Sequence, residues 1–169
     1  MTFQVGEKVV YPNHGVGTIE NISSRSFGIQ NEHFYLLRLS YNSLTVMVPF
    51  SHVEQVGLRK VTRNGEVAKM LSYLSGGEVQ SNSDWKDRFK ENSAKMQSGS
   101  LLEVAEVLKS LATIQGQKPL SFREKKMLDR ARVMIVAEVA TSRGVKEPEA
   151  IGILSRCLMK TNVRFPEPL

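Results

Sequence analysis

The amino-acid sequence predicts an α+β protein of two domains, in which a small antiparallel β-barrel precedes a compact bundle of about five helices. Short β-branched segments fill the first sixty residues or so, and after Val61 the apolar spacing becomes helical. With 41% hydrophobic and 24% charged residues, the composition is that of an ordinary globular protein. We assign residues 1–62 to the barrel, 63–160 to the helical domain and 161–169 to an irregular tail.

Five short segments predict the strands of the barrel. Each is rich in Val, Ile, Leu, Tyr or Phe and partly alternates, as half-buried strands do. The turn-like pieces PNHG, SSRSFGIQNEH and YNS separate them. Pro12 and Pro49 are expected at strand ends or edges, because proline cannot donate to a central ladder. In chain order the segments are VGEKVVY, VGTIENI, FYLLRLSY, LTVMVPF and VEQVGLR.

Capping signals and apolar spacing predict the helices. Serine and glutamate three residues apart, the spacing of a capping box, begin the third and fourth helices at Ser100 and Ser121. Glycines are expected to end helices, because glycine readily adopts the left-handed conformation found there. The predicted helical segments are NGEVAKMLSYLSGG, SDWKDRFKENSAKMQSG, SLLEVAEVLKSLATIQG, FREKKMLDRARVMIVAEVATSRG and EPEAIGILSRCLMK.

The net charge of +6 is concentrated in the second part of the chain. Residues 1–60 carry 5 basic and 4 acidic side chains, whereas residues 61–169 carry 18 basic and 13 acidic ones. Such a basic domain is compatible with an anionic partner, most often nucleic acid. Many globular proteins are mildly basic without one, so charge alone leaves this question open.

The sequence lacks the usual signals of a membrane protein, a metalloprotein or an enzyme. It has no long apolar segment, we expect no secretory signal from the start MTFQVGEKVV, and the single cysteine, Cys157, suits a reducing cytoplasm. The histidines His14, His33 and His52 do not have the spacing of metal ligands. We therefore expect no catalysis, no cofactor, no metal and no membrane association, with Cys157 as a buried thiol.

The only tryptophan, Trp85, lies in the charged segment SDWKDRFKEN. On a helix Trp85, Phe89 and Met96 share one face, which favours a core position. The first turn, however, also allows the ring to project past the helix end as a wedge or stacking platform on DNA. The cations that would surround it are Lys86 and Lys90 on one side and Arg88 and Lys95 on the other. Both interpretations remain open on these residues.

The fourth predicted helix carries a second group of cations. At about 100° per residue, Arg123, Lys126 and Arg130 share one flank, while Lys125 and Arg132 share another. This group is either the solvated face of an amphipathic helix or part of a nucleic-acid surface.

Four segments together resemble the CarD family of bacterial transcription regulators. They are VGEKVVYPNHGVGTIENI, LTVMVP, DWKDRFKEN and LSFREKKMLDRAR, and the resemblance runs from Phe3 to about Lys160. The VVYPxHGVGxI motif is also typical of the polymerase-interacting module of transcription-repair coupling factor. The helicase motifs of that larger protein are missing from this sequence.

The resemblance implies a Tudor-like (SH3-like) barrel that docks on the RNA polymerase β subunit. It also implies helices that lie on promoter DNA at the upstream edge of the melted region. There a tryptophan, here Trp85, would wedge into the minor groove and stabilise the open complex with little sequence readout. The matching basic DNA contacts are Lys90, Lys125 and Arg130. Arg25, with Phe27 beside it, would face polymerase.

Two positions depart from the family pattern. Met47 stands where related members carry a second polymerase-facing arginine, so Arg25 or backbone strand pairing would carry more of the affinity. Asp87 stands where some members have a basic residue, which shifts that phosphate contact to Lys86 or Arg88.

We add Lys126 to the candidate DNA contacts and expect a cytoplasmic monomer that acts with polymerase. Two alternatives remain, both without polymerase: a general nucleic-acid-binding module and a protein–protein adaptor.

Overall fold

The computed structural model describes residues 2–79 and 83–169, except for the side chain of Phe27. The chain divides into two compact units, Met1–Val61 and Thr62–Leu169. Among the described residues, the first unit holds a five-stranded antiparallel sheet and the second holds five helices longer than ten residues. The predicted fold class is confirmed.

The sheet of the first unit has the strand order β4-β3-β2-β1-β5, so that β4 and β5 are its edges. The strands pair antiparallel throughout, and β2 and β3 form the longest ladder. Their bounds are β1 Lys8–Tyr11, β2 Gly15–Phe27, β3 Gln30–Leu39, β4 Thr45–Pro49 and β5 Arg59–Lys60.

Tyr35 is at the centre of the core of this unit and is only 1% exposed. Its hydroxyl accepts a hydrogen bond of 3.0 Å from the backbone N–H of Phe3, whose ring packs edge-on at 5.6 Å. A buried phenol needs such a partner, because an unpaired hydroxyl loses its hydration without compensation. The other core residues include Val9, Ile19, Leu37, Leu39, Val48, Val53 and Leu58.

The predicted long turn SSRSFGIQNEH is wrong, because β2 and β3 continue through it as a hairpin. The chain reverses at Gly28 and Ile29, where Gly28 has φ 65°. Polar side chains face solvent along this ribbon, and the Ser26 hydroxyl donates to Asn31 across the two strands at 2.7 Å. The segment is polar because it is exposed, and polarity alone does not distinguish a solvated hairpin from a turn.

The predicted fifth strand, VEQVGLR, is also largely wrong. Val53–Val56 forms a single helical turn, α1, after a 3-10 turn at Phe50–His52. Gly57 ends it at φ 78°, and β5 takes up only Arg59–Lys60. Val53 is buried in the sheet core, so its β-branched side chain serves packing and not strand pairing.

The second unit contains the five predicted helices, with bounds within a few residues of the predicted ones. Ser100 and Ser121 cap two of them by accepting from the backbone N–H groups of Glu103 and Glu124, each at 3.3 Å. Gly144 ends another in the left-handed conformation, at φ 67°. The helices are α2 Asn64–Gly76, α3 Trp85–Gln97, α4 Leu101–Gln115, α5 Phe122–Arg143 and α6 Glu147–Met159.

Helix α4 is the most buried helix of this unit, with ten buried residues. One of them is Lys109, which is 1% exposed and donates to the carbonyl oxygens of Tyr73 (3.2 Å) and Gly77 (2.7 Å). These carbonyls end α2, so the ammonium group closes the carbonyl end of that helix. Burial lowers the pKa of Lys109 from its ordinary value.

The segment 161–169 has no regular secondary structure, and it is packed against α5. Phe165 is buried beneath Arg132, whose guanidinium carbon is 5.6 Å from the ring centroid. Arg132 Nε also donates to the carbonyl oxygen of Pro166 at 3.1 Å, and the backbone N–H of Leu169 donates to Asp129 at 3.1 Å. The tail is therefore part of the helical unit.

A test of the sheet packing is Gly17→Ala. An added Cβ would stand 2.7 Å from Leu37 Cδ1 and 3.0 Å from the carbonyl oxygen of Arg38, so β3 would have to shift. We expect the free energy of unfolding of the first unit to fall by about 1–3 kcal/mol, measured by hydrogen exchange of its strands. Gly65→Ala is the control, because its Cβ meets nothing within 4 Å. Equal protection in the two variants would contradict this packing.

Candidate nucleic-acid interface and sheet-edge surface

Trp85 is the first residue of α3 and lies outside the core. Its side chain is 43% exposed, whereas Met96, on the same face near the helix end, is 2% exposed. Phe89, between them, is half-buried. The carboxylate of Asp84 caps the helix by accepting from the backbone N–H of Lys86 at 3.1 Å. The ring therefore stands at the open end of an apolar stripe that becomes buried further along the helix.

A buried ion pair joins the first turns of α3 and α5. Arg88 Nε donates to Glu124 Oε2 at 2.7 Å, and Arg88 Nη2 donates to Glu124 Oε1 at 2.9 Å. The two side chains are 6% and 2% exposed. The hydrogen bond to Glu124 raises the pKa of Arg88 above its ordinary value. The residues next to this pair are also in contact: the guanidinium of Arg123, which precedes Glu124, lies 4.6 Å from the ring centroid of Phe89, which follows Arg88.

These contacts correct one site prediction. Arg88 was expected to contact phosphate, but its side chain is buried and its guanidinium is engaged by Glu124 in two hydrogen bonds. A phosphate could reach it only by displacing the carboxylate. The sequence offered no signal for this pair, whose members are 36 residues apart.

We call the surface at the paired starts of α3 and α5 the helix-end surface. It consists of Trp85, Lys86, Phe122, Arg123 and Lys126, each of which is exposed. The Lys126 ammonium lies 5.0 Å from the centroid of the Phe122 ring, which is 65% exposed. The structure thus places three predicted residues, Trp85, Lys86 and Lys126, on helix starts that are tied together. Sequence reasoning missed Phe122.

Two other predicted cations extend this surface along the helices. Lys90 follows Lys86 by one turn of α3, and Arg130 follows Lys126 by one turn of α5, and all four side chains are exposed. The exposed Asp87 lies between the two lysines in sequence and reduces the local positive potential.

Lys125 lies on a different flank of α5 from its neighbour Lys126. It is half-buried and lines a cavity of about 770 Å³, formed with the end of α4 and the tail. Lys125 and Lys126 therefore lie in different surroundings, and Lys125 is not part of the helix-end surface.

The remaining predicted residues lie on the sheet. Arg25 on β2 pairs with Glu32, and Met47 on the edge strand β4 pairs with Leu36, so alternation puts Arg25 and Met47 on the same face. Both side chains are exposed, and Met47 is 39% exposed. Phe27 pairs with Gln30 through the backbone, but its side chain lies outside the described residues.

Within residues 2–79 and 83–169, no helix combines the length and apolar character needed to cross a bilayer. The same residues contain no group of three or more His, Cys, Asp or Glu side chains that could hold a metal ion. His14 packs edge-on against the Tyr11 ring at 5.0 Å, and Cys157 is half-buried against the helical core.

Comparison with known proteins gives matches over both units. The model of the CarD-like/TRCF RID domain matches residues 3–62, and that of the CarD C-terminal domain matches residues 69–155. YdeB of Bacillus subtilis (strain 168), which carries the name of a transcription factor, is 34% identical over 147 residues. The match covers 87% of this chain and 96% of YdeB.

Two solved structures resemble part of the chain. CdnLNt from Myxococcus xanthus is 38% identical, and the match covers 36% of this chain and 86% of that one, with a TM-score of 0.31. The 72-residue N-terminal domain of Myxococcus xanthus CarD is 36% identical, with coverage of 35% and 79% and a TM-score of 0.30.

A Tudor-like sheet unit followed by a CarD-type helical unit defines a bacterial transcription regulator. The two domain matches and the similarity to YdeB over nearly its whole length show that the chain belongs to the CarD family.

The buried pair is tested by Arg88→Met. Loss of the guanidinium leaves the Glu124 carboxylate buried and uncompensated, so the free energy of unfolding should fall by about 3–5 kcal/mol. The measurement is urea unfolding followed by Trp85 fluorescence. Adding Glu124→Leu should recover most of the loss, because the remaining buried charge is then removed.

The control for this variant is Lys95→Met. Lys95 pairs with Glu106 at 2.8 Å, but about a third of each side chain is exposed, so the cost should stay below about 1 kcal/mol. If the stability losses of Arg88→Met and Glu124→Leu simply add in the double variant, the coupling between these two side chains is contradicted.

Proposed function

We propose that this protein binds the RNA polymerase β subunit through its first unit and stabilises the promoter open complex through its second. The Trp85 ring would enter the minor groove at the upstream edge of the melted region. The observation that carries the proposal is a half-exposed indole at the start of α3, next in sequence to the exposed Lys86, on a helix start that a buried ion pair joins to the start of α5.

The helix-end surface has the chemistry that phosphates require. Lys86, Arg123 and Lys126 supply full positive charges, whereas the partial positive charge of the α3 start is already offset by the capping carboxylate of Asp84. Contacts of this kind position a protein on DNA without reading its sequence. The proposed contact set is Trp85, Lys86, Lys90, Lys126 and Arg130, with Lys125 reaching DNA from the tail side of α5.

The wedge would lengthen the lifetime of the open complex. An apolar ring inserted between base steps keeps the duplex kinked and unstacked at that point. Stacking of an aromatic side chain on a base contributes about 1–3 kcal/mol, and about 1.4 kcal/mol corresponds to tenfold in an equilibrium. If the contact exists only in the open state, its energy lengthens the lifetime of that state.

The sheet unit supplies recruitment. The proposal is supported by the match to the RID domain, by the exposure of Arg25 and Met47 on one face, and by the edge position of β4. An edge strand can pair its free backbone groups with a strand of a partner. Met47 brings no charge to this surface, so Arg25 and the β4 backbone carry the affinity, with Phe27 adjoining on β2.

Recruitment explains why a modest positive charge is sufficient. Once the sheet unit is bound to polymerase, the helical unit acts on DNA at a high effective concentration, so its own affinity for DNA can be weak. The protein acts as a monomer, one per polymerase, and needs no cofactor and no catalysis.

Trp85→Ala tests the wedge. The half-exposed ring contributes little to the core, so the variant should fold and bind polymerase as before. The lifetime of open complexes after competitor challenge should fall about tenfold to a hundredfold relative to the wild-type protein. An unfolded variant would instead support a structural role for Trp85.

Arg25→Glu tests the recruitment surface. Reversing the charge should abolish capture of the polymerase β lobe, because a carboxylate would repel the acidic group that an arginine binds. Thermal unfolding should be unchanged, since Arg25 is exposed. Lys8→Glu, an equal charge reversal on β1, is the control and should retain binding. Unchanged capture by the Arg25 variant would exclude this assignment.

A further inference from the structure

We infer that Phe122 is a second aromatic contact for DNA, placed beside Trp85 on the helix-end surface. The inference rests on the proposed function, to which it adds one residue of α5.

Phe122 is more exposed than Trp85, at 65% against 43%. It is the first residue of α5, directly after the capping residue Ser121. A single exposed apolar side chain is common on protein surfaces and by itself indicates nothing. The surroundings of Phe122 give its exposure a meaning.

Phe122 and Trp85 occupy the same position on two helices that are fixed to each other. Each ring follows a capping residue and stands at the helix start, where a side chain can project past the helix end. The Arg88–Glu124 pair joins the two first turns, and the contact between their sequence neighbours Phe89 and Arg123 adds a second link. The two aromatic rings therefore belong to one surface.

The charges near Phe122 favour a nucleic acid as its partner. The Lys126 ammonium is 5.0 Å from the ring centroid, and Arg123 is the next residue along α5. An aromatic ring with cations beside it is the arrangement that binds single-stranded nucleic acid, where bases stack and phosphates pair with the cations. The acidic residues near Trp85 in sequence are Asp84, whose carboxylate caps α3, and the exposed Asp87.

The two rings would divide the contact between them. Trp85 enters the groove, and Phe122 packs on the face of a nucleotide next to the opened step. The buried ion pair keeps their separation constant, so the second contact needs little further ordering of the protein.

The test uses the full chain with the RNA polymerase of its own host. Phe122→Ala should shorten the open-complex lifetime about fivefold, the lower end of a stacking contact. Phe122→Tyr should retain the wild-type lifetime, because the ring is kept. Leu102→Ala is the control and should have no effect on the lifetime. Leu102 is an apolar residue in the first turn of α4 and is 43% exposed, as Trp85 is. Phe122→Gln is a second variant without the ring; because glutamine is a good helix former, this variant shows whether an effect of Phe122→Ala comes from a loss of folding.

The outcomes separate this inference from the proposed function. If Trp85→Ala shortens the lifetime and both Phe122→Ala and Phe122→Gln leave it at the wild-type value, the inference is overturned and the wedge stands. If Trp85→Ala also has no effect, the wedge itself fails. Weaker polymerase capture by the two Phe122 variants would assign the ring to a protein partner, which likewise overturns the inference. A shorter lifetime with unchanged capture and unchanged thermal unfolding supports it.

Discussion

The arrangement of the helical unit depends on one buried ion pair between Arg88 and Glu124. Burying two charges is costly unless the geometry is good, and here two short parallel hydrogen bonds meet that condition. The pair also gives directional specificity, because a bidentate contact fixes both the distance and the relative orientation of the two side chains. Two helices that begin 37 positions apart in the chain are thereby held with their starts together. The exposed aromatic residues and cations form one surface because of this constraint.

In the proposed function, the sheet unit provides affinity for the partner and the helical unit acts on DNA. The sheet presents an edge strand and an exposed arginine, which suit lasting attachment to a protein. The helical unit presents a ring and dispersed positive charges, which suit a weak contact that exists in one state of the DNA. A regulator built in this way need not recognise a promoter sequence, since the state of the polymerase complex selects where it acts.

Most of the fold could be predicted from the sequence because the signals are local. Serine caps and a glycine end define the helices within a few residues, and prolines mark the ends of β1 and β4. The β2–β3 hairpin was missed because its polarity reflects exposure, and the VEQV turn because its β-branched side chains serve packing. Arg88 could not be placed correctly, since a pairing between distant residues leaves no trace in local spacing. For the same reason, nothing in the sequence connected Phe122 with Trp85.

The packed tail has a consequence for how the protein is made. Val163 and Phe165 complete the core of the helical unit, and Arg132 and Asp129 hold the residues around and beyond them. During synthesis the sheet unit has all its strands once residue 61 has left the ribosome, whereas the helical core can close only after Phe165 emerges. The unit proposed to attach to polymerase is therefore ready first. A protein fused after Leu169 would put strain on the segment that completes the core of the helical unit.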